Sequence, residues 1–157
     1  MPDRPSVLFV CLGNICRSPL AEAIFRRDAE QACFDVEVDS AGTGSWHVGE
    51  APDPRARAVG SARGANMALR ARQVAPEDFE RFDLILGMDS ANVAELKRWR
   101  GARPEKVFLA SDFAPAFAGR DVPDPYYGDR NDFEAVADML EAVSAGLLAT
   151  LRSRSTA

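Results

Sequence analysis

Short apolar, β-branched runs alternate with helical patterns along this chain, and that alternation constrains its fold more than any other feature. Residues 6–10, 36–40, 82–86 and 106–109 read as buried strands. Two of the helices between them open with a cap followed by proline. Ser18 precedes Pro19 in a helix running to about residue 32, and Asp53 precedes Pro54 in one that stops at Gly64. A further helix is expected after a cap at Asp89 or Ser90. Residues 110–129, with Pro115, Pro123 and Pro125, read as a long loop. The last helix is expected from Asn131, with Glu134 completing a capping box. Its apolar residues Phe133, Val136, Leu140, Val143, Leu147 and Leu151 step by three or four, which is one helix face. Residues 152–157 are expected to fray. Such alternation around one core specifies an α/β fold: a four-stranded parallel twisted sheet with helices on both faces. A chain of 157 residues has room for one such core and hardly for two, so residues 1–157 read as a single domain.

In sheets of this kind a ligand binds beyond the carboxyl ends of the strands, where the strand order reverses. The first strand ends there in Val10-Cys11-Leu12-Gly13-Asn14-Ile15-Cys16-Arg17-Ser18. A tight loop feeding a helix N-terminus turns successive backbone N–H groups inward and forms a nest for an anion. Gly13 and Asn14 are residue types that tolerate the left-handed backbone such a loop needs. Arg17 adds a planar fork suited to two oxygens of a phosphate. Cys11 lies at the base of the nest, where the amides, the helix dipole and Arg17 favour thiolate over thiol, and Ser18 can hydrogen-bond the sulfur. No Gly-Lys-Ser/Thr follows, which excludes a Walker loop. The segment reads as a phosphate-binding loop.

Composition narrows the chemistry. The net charge is −5, which argues against a general nucleic-acid binder. A single histidine, His47, rules out zinc centres of the HExxH type, and three cysteines with no CxxC pair rule out cysteine-rich zinc sites. No metal and no cofactor is expected. No apolar segment is long enough to span a membrane, and the N-terminus lacks the layout of a signal peptide. With no disulfide framework either, a cytoplasmic protein with reduced thiols is expected. Residues 1–73 are neutral, and the whole net charge lies in residues 74–157. Arg55, Arg57, Arg63, Arg70 and Arg72 crowd a stretch free of carboxylates, read as a solvated face or as a lure for anions.

The run Cys11-Leu12-Gly13-Asn14-Ile15-Cys16-Arg17-Ser18-Pro19 resembles the signature of low-molecular-weight protein tyrosine phosphatases. Asp124-Pro125-Tyr126-Tyr127-Gly128 resembles the family's second motif. Further segments resemble the family too: residues 39–43, Asp53-Pro54-Arg55-Ala56, residues 71–73 and residues 83–89. The resemblance implies a protein tyrosine phosphatase acting through a phosphocysteine. It makes Cys11 the nucleophile, with Arg17 and the amides of residues 12–17 holding the phosphate, and Asp124 the general acid and then base. A mildly acidic optimum is implied. Asn14, Ser18 and Ser40 would hold the loop in shape. Trp46 and Tyr126 would wall a slot deep enough for phosphotyrosine, with Tyr127 on its rim. Cys16 would be a resolving thiol for an oxidised Cys11. Partners would be tyrosine-phosphorylated proteins, and a monomer is expected.

Cys33 reads as an inert packing residue and His47 as a surface residue beside the pocket. Asp89 could orient Arg17 or merely cap a helix. Many family members carry two histidines where this chain has Arg63 and Leu69; the second supports the phosphate-loop network, so Leu69 leaves that network needing another partner. Two rival functions remain weaker. A thioredoxin-coupled arsenate reductase of the same fold would need two further cysteines downstream, and none follows Cys33. A non-catalytic phosphotyrosine-binding module should have lost the cysteine, the arginine or the aspartate, and all three are present.

Overall fold

A computed structural model describes residues 4–156. Its four strands, β1 (Ser6–Cys11), β2 (Glu37–Gly42), β3 (Leu84–Gly87) and β4 (Val107–Leu109), form one sheet in the order β2-β1-β3-β4. Every neighbouring pair is parallel. Among the described residues five α-helices accompany the sheet: α1 (Arg17–Gln31), α2 (Pro54–Ala62), α3 (Asp78–Arg81), α4 (Ser90–Lys97) and α5 (Arg130–Thr156).

β1 is buried at all six positions because it serves two cores at once. Val7, Phe9 and Cys11 join the larger core with residues of α1, α2 and α5. Leu8 and Val10 join the smaller one with Phe79 of α3 and Leu96 of α4. Alternate side chains of a strand point to opposite faces, so a strand covered on both sides reads as continuously apolar. All six apolar positions of α5 picked out by their spacing are buried.

Element ends moved where a polar side chain found a better partner than the expected one. α1 begins at Arg17, two residues earlier than a cap at Ser18 allows, and its N-cap residue Cys16 makes no side-chain cap bond. The Ser18 hydroxyl is used elsewhere, in the site described below. α5 begins at Arg130, and its reciprocal cap is built by Asp129 and Asp132: Asp129 N donates to Asp132 Oδ2 at 2.9 Å, and Asp132 N to Asp129 Oδ1 at 3.2 Å. Glu134 instead accepts from Arg63 Nη2 at 2.8 Å. α5 runs on through the expected frayed end to Thr156; Ala157 lies outside the described residues. α3 was not anticipated, and the long loop contains 3-10 turns at Ala110–Phe113 and Pro115–Phe117.

Three of the five crowded arginines act as internal ties. Arg63 joins the end of α2 to α5 through Glu134 and, at 2.9 Å, Asp138. Arg72 bonds Asp39 at 3.1 Å and Asp78 at 3.0 Å. Arg55 holds Asp53 and two loop carbonyls.

Because β1 is central, the chain leaves it toward β2 on one side and returns to β3 on the other. A crevice therefore opens beyond Cys11 and Gly87, where the loops after β1 and β3 diverge.

Gly146 lies inside α5, where helix propensity alone favours alanine by about 1 kcal/mol. A Cβ there would lie 1.7 Å from the Phe113 carbonyl oxygen, a backbone atom that cannot yield unless its turn shifts. Gly146→Ala is therefore expected to destabilise the protein by about 1–3 kcal/mol. Urea unfolding reads this as a lower midpoint; a higher midpoint for the alanine variant would show that helix propensity wins.

Candidate active site

The segment between β1 and α1 wraps around the sulfur of Cys11. Asn14 takes the left-handed conformation (φ 57°), which turns its backbone N–H to the Cys11 Sγ at 3.3 Å. Ser18, in the first turn of α1, places its hydroxyl 3.0 Å from the same sulfur. That is why it does not cap the helix: its oxygen also accepts from Asn14 Nδ2 at 2.8 Å. Asn14 Nδ2 donates further to Ser40 Oγ at 3.0 Å, and Asn14 Oδ1 accepts from Arg72 N at 3.0 Å. Thr43 N and Gly44 N donate to the carbonyls of Cys11 and Leu12, so the chain leaving β2 runs along the loop. Gly42 permits this close approach, because a Cβ there would lie 2.8 Å from the Leu12 carbonyl oxygen.

Arg17 is buried, and its guanidinium is held from the opposite side of the crevice. Nη1 donates to Asp89 Oδ2 at 2.7 Å and to the Val122 carbonyl at 3.0 Å. Burial opposes the guanidinium's charge, but Cys11, Asp89 and Asp124 outweigh it and hold its pKa above the ordinary value. Asp89 performs both of the roles considered for it, one oxygen for each. Oδ2 orients Arg17, while Oδ1 caps α4 by accepting from Asn92 N at 2.7 Å. Asp124 Oδ2 lies 3.8 Å from Arg17 Nη2, and Oδ1 accepts from Tyr126 N at 3.1 Å. Its carboxyl is about half exposed and overlooks the loop.

A cavity of about 340 Å³ opens above the sulfur, lined by Cys11, Leu12, Gly13, Ile15, Cys16, Arg17, Trp46, His47, Asp124, Tyr126 and Tyr127. Its floor is polar and its walls are aromatic. Trp46 lies across Gly44, where any Cβ would meet the indole ring. Tyr126 stands edge-on to Tyr127, with ring centroids 4.9 Å apart, and Tyr127 is almost wholly exposed. His47 packs beside Gly13 and its Nδ1 lies 3.1 Å from Glu50 Oε1. Burial, followed by the charges of Asp53, Cys11 and Asp124, pushes the Cys16 thiol up to about 12. Among the described residues no group of three or more His, Cys, Asp or Glu is placed to hold a metal ion, and no helix is long and apolar enough to cross a membrane.

Residues 6–157 match the family model of the low molecular weight phosphotyrosine protein phosphatases. The chain belongs to that family. A low molecular weight protein-tyrosine-phosphatase of Streptomyces coelicolor is 47% identical over 154 residues, covering 94% of each chain. Among solved structures, a protein tyrosine phosphatase from Entamoeba histolytica with Hepes in the active site aligns with a TM-score of 0.90 at 39% identity, covering 95% of this chain and 97% of that one. YfkJ from Bacillus subtilis gives the same TM-score at 37% identity, covering 96% of each.

Of the residues that the family motifs single out, Cys11, Leu12, Gly13, Ile15, Cys16, Arg17, Trp46, Asp124, Tyr126 and Tyr127 line the cavity, while Asn14, Ser18 and Ser40 form the network beside the loop. Glu22 of α1 was not anticipated. Leu69 packs against the larger core, and the network beneath the loop ends on Glu22: Ser40 Oγ donates to Glu22 Oε1 at 2.7 Å, and Arg26 Nη2 donates to Oε2 at 2.5 Å. The signal available in the sequence was a lone carboxylate inside the apolar run of α1. Burial pushes the Glu22 carboxyl above its ordinary value of 4.5, partly offset by the bonds from Ser40 and Arg26. A carboxyl raised in this way favours folding fully below its unfolded-state value, and that contribution is lost as pH rises through the folded-state value. Glu22→Gln removes the dependence. Its stability relative to the parent protein should therefore increase between about pH 4 and about pH 7 in urea unfolding, and a difference constant across that range would contradict the shift.

Proposed function

We propose that this chain is a protein tyrosine phosphatase that hydrolyses phosphotyrosine through a phosphocysteine at Cys11. The observation that carries the reading is the convergence of three groups on one cavity: the Cys11 sulfur at its floor, the Arg17 guanidinium beside it, and the Asp124 carboxyl 3.8 Å from Arg17. The phosphate dianion sits in the nest of amides from residues 12–17 and takes two N–H groups of Arg17, which match the charge its equatorial oxygens gather in the transition state. The Cys11 thiolate attacks phosphorus in line as the bond to the phenolic oxygen breaks, and Asp124 gives that oxygen its proton. Asp124, now a carboxylate, takes a proton from the water that attacks the phosphocysteine. Inorganic phosphate and the thiolate are released, with the Ser18 hydroxyl available to donate to the departing sulfur.

The depth of the cavity sets the substrate. Trp46 and Tyr126 flank a slot through which a phenyl ring can carry its phosphate to the sulfur, and a phosphoserine side chain is too short to do so. Tyr127 lies at the rim, where residues flanking the phosphotyrosine would pass. Asn14, Ser18 and Ser40 keep the loop in its binding shape. Cys16 is assigned as the resolving thiol: its sulfur would attack a Cys11 sulfenic acid, forming the disulfide and releasing water. Its raised pKa keeps it protonated near neutral pH, which slows that step. Free cysteines suit a reducing compartment, so a cytoplasmic monomer acting on tyrosine-phosphorylated proteins completes the reading. An arsenate reductase relay is disfavoured, because the remaining thiol, Cys33, is not the packing residue its sequence suggests but is exposed beyond the far end of α1.

Hydrolysis of p-nitrophenyl phosphate and of phosphotyrosine peptides tests the assignment. Cys11→Ser should abolish turnover, and Asp124→Ala should lower it by about 10²–10⁴-fold. EDTA should leave the rate unchanged, and phosphoserine peptides should be poor substrates. Retained turnover in Cys11→Ser would remove the nucleophile, and reversible loss in EDTA would replace this mechanism with a metal-dependent one.

A further inference from the structure

The N-terminus of α2 lies between the loop that carries Cys11 and the loop that carries Asp124, and it is bonded to both. The backbone N–H of Asp53 donates to the Ile15 carbonyl of the phosphate loop at 2.8 Å. The Asp53 carboxylate caps α2 by accepting from Arg55 N at 2.8 Å. It also takes the edge of the Arg55 guanidinium, Nε to Oδ1 at 3.0 Å and Nη2 to Oδ2 at 2.9 Å. The same guanidinium then reaches the other loop: Nη1 donates to the Gly128 carbonyl and Nη2 to the Tyr126 carbonyl, both at 2.9 Å. It lies against the rings of Phe133 and Tyr126, 4.6 Å and 5.7 Å from their centroids.

The segment that presents Asp124 is thus fixed at two ends. Upstream, Val122 bonds Met88 and Arg17. Downstream, Arg55 grips the carbonyls of Tyr126 and Gly128. The Asp124 carboxyl itself is held only lightly, by Tyr126 N and the longer approach to Arg17. Its height above the sulfur is therefore set by the backbone on either side of it.

We infer that Arg55, held by Asp53, is a positioning residue that fixes the Asp124 carboxyl over the phosphate loop and so sets how well it protonates the leaving oxygen. The inference rests on Asp124 being the general acid. It is specific to arginine: one planar fork spans a carboxylate and two carbonyls, and a lysine ammonium cannot reproduce that span. Misplacing an acid by about an ångström is enough to cost catalysis steeply without touching the nucleophile.

The test is the leaving-group dependence of kcat/KM, which reports the step in which the aryl oxygen departs. With the acid in place the departing oxygen is protonated, and the rate depends weakly on the acidity of the phenol. Without it, charge accumulates on that oxygen and poor leaving groups suffer most. Arg55→Ala should lower kcat/KM about tenfold for phenyl phosphate and no more than about twofold for 2,4-dinitrophenyl phosphate. Arg55→Lys should show the same pattern. Asp53→Asn keeps a good helix cap while removing the charged partner of Arg55, and should show it more weakly. In an Asp124→Asn background, Arg55→Ala should not steepen the dependence further. A uniform loss across the phenol series, or no loss, in Arg55→Lys and Asp53→Asn would overturn the inference even if Arg55→Ala failed to fold. Failure of the parent protein to hydrolyse any aryl phosphate would instead sink the phosphatase reading. An unchanged dependence in Asp124→Asn would sink the acid assignment.

Discussion

The side-chain amide of Asn14 bonds three separate parts of the chain to one turn of backbone. It donates to Ser18 on α1 and to Ser40 on β2, and it accepts from the backbone of Arg72 before α3. All of this happens at a residue that is almost fully buried and held in a left-handed conformation. Leaving one such group unpaired would cost about 1–3 kcal/mol, so these bonds act as a joint requirement. The turn is correct only when α1, β2 and the segment at Arg72 all arrive together. The setting of the Cys11 sulfur follows from that turn, which brings the Asn14 N–H and the Ser18 hydroxyl to it.

A second constraint is electrostatic. The protein is acidic overall, yet its anion site is built from fixed donors in a buried setting, where local groups outweigh net charge. Arg17 is held in place by Asp89 and the Val122 carbonyl, which grip it from the far side of the crevice. Beneath the loop, Glu22 and Arg26 end the polar chain that begins at Asn14 and Ser40. Leu69 plays no part in that chain and packs against the larger core instead.

Much of this architecture is legible in the sequence. The four strands, their parallel arrangement and the apolar face of α5 follow from hydrophobic period, which depends on each residue's near neighbours in the chain. Two of the differences, at Ser18 and Glu134, share one cause. Ser18 and Glu134 both have the chemistry of helix caps, and each was drawn to a partner distant in sequence or to a site: Ser18 to the sulfur of Cys11, Glu134 to Arg63. The arginine-rich stretch looked like a solvated face or a lure for anions, because the carboxylates that neutralise Arg63 and Arg72 lie on other elements. Asp53 was legible as a cap, and its second task on Arg55 was not.

The sequence by itself determined the alternating α/β order, the tight turn that carries residues 11–18 into α1 and the identity of the groups that could do chemistry there. Those properties are local: backbone preferences, side-chain type and spacing within a turn or two. Only the tertiary structure decided which distant groups complete them. It brought Asp89 to Arg17, Asp124 to the rim, Glu22 to Ser40 and Arg55 to the loop of Tyr126. Such pairings carry no periodic signature, because they depend on how the crossover connections place chain segments against one another around the central strand.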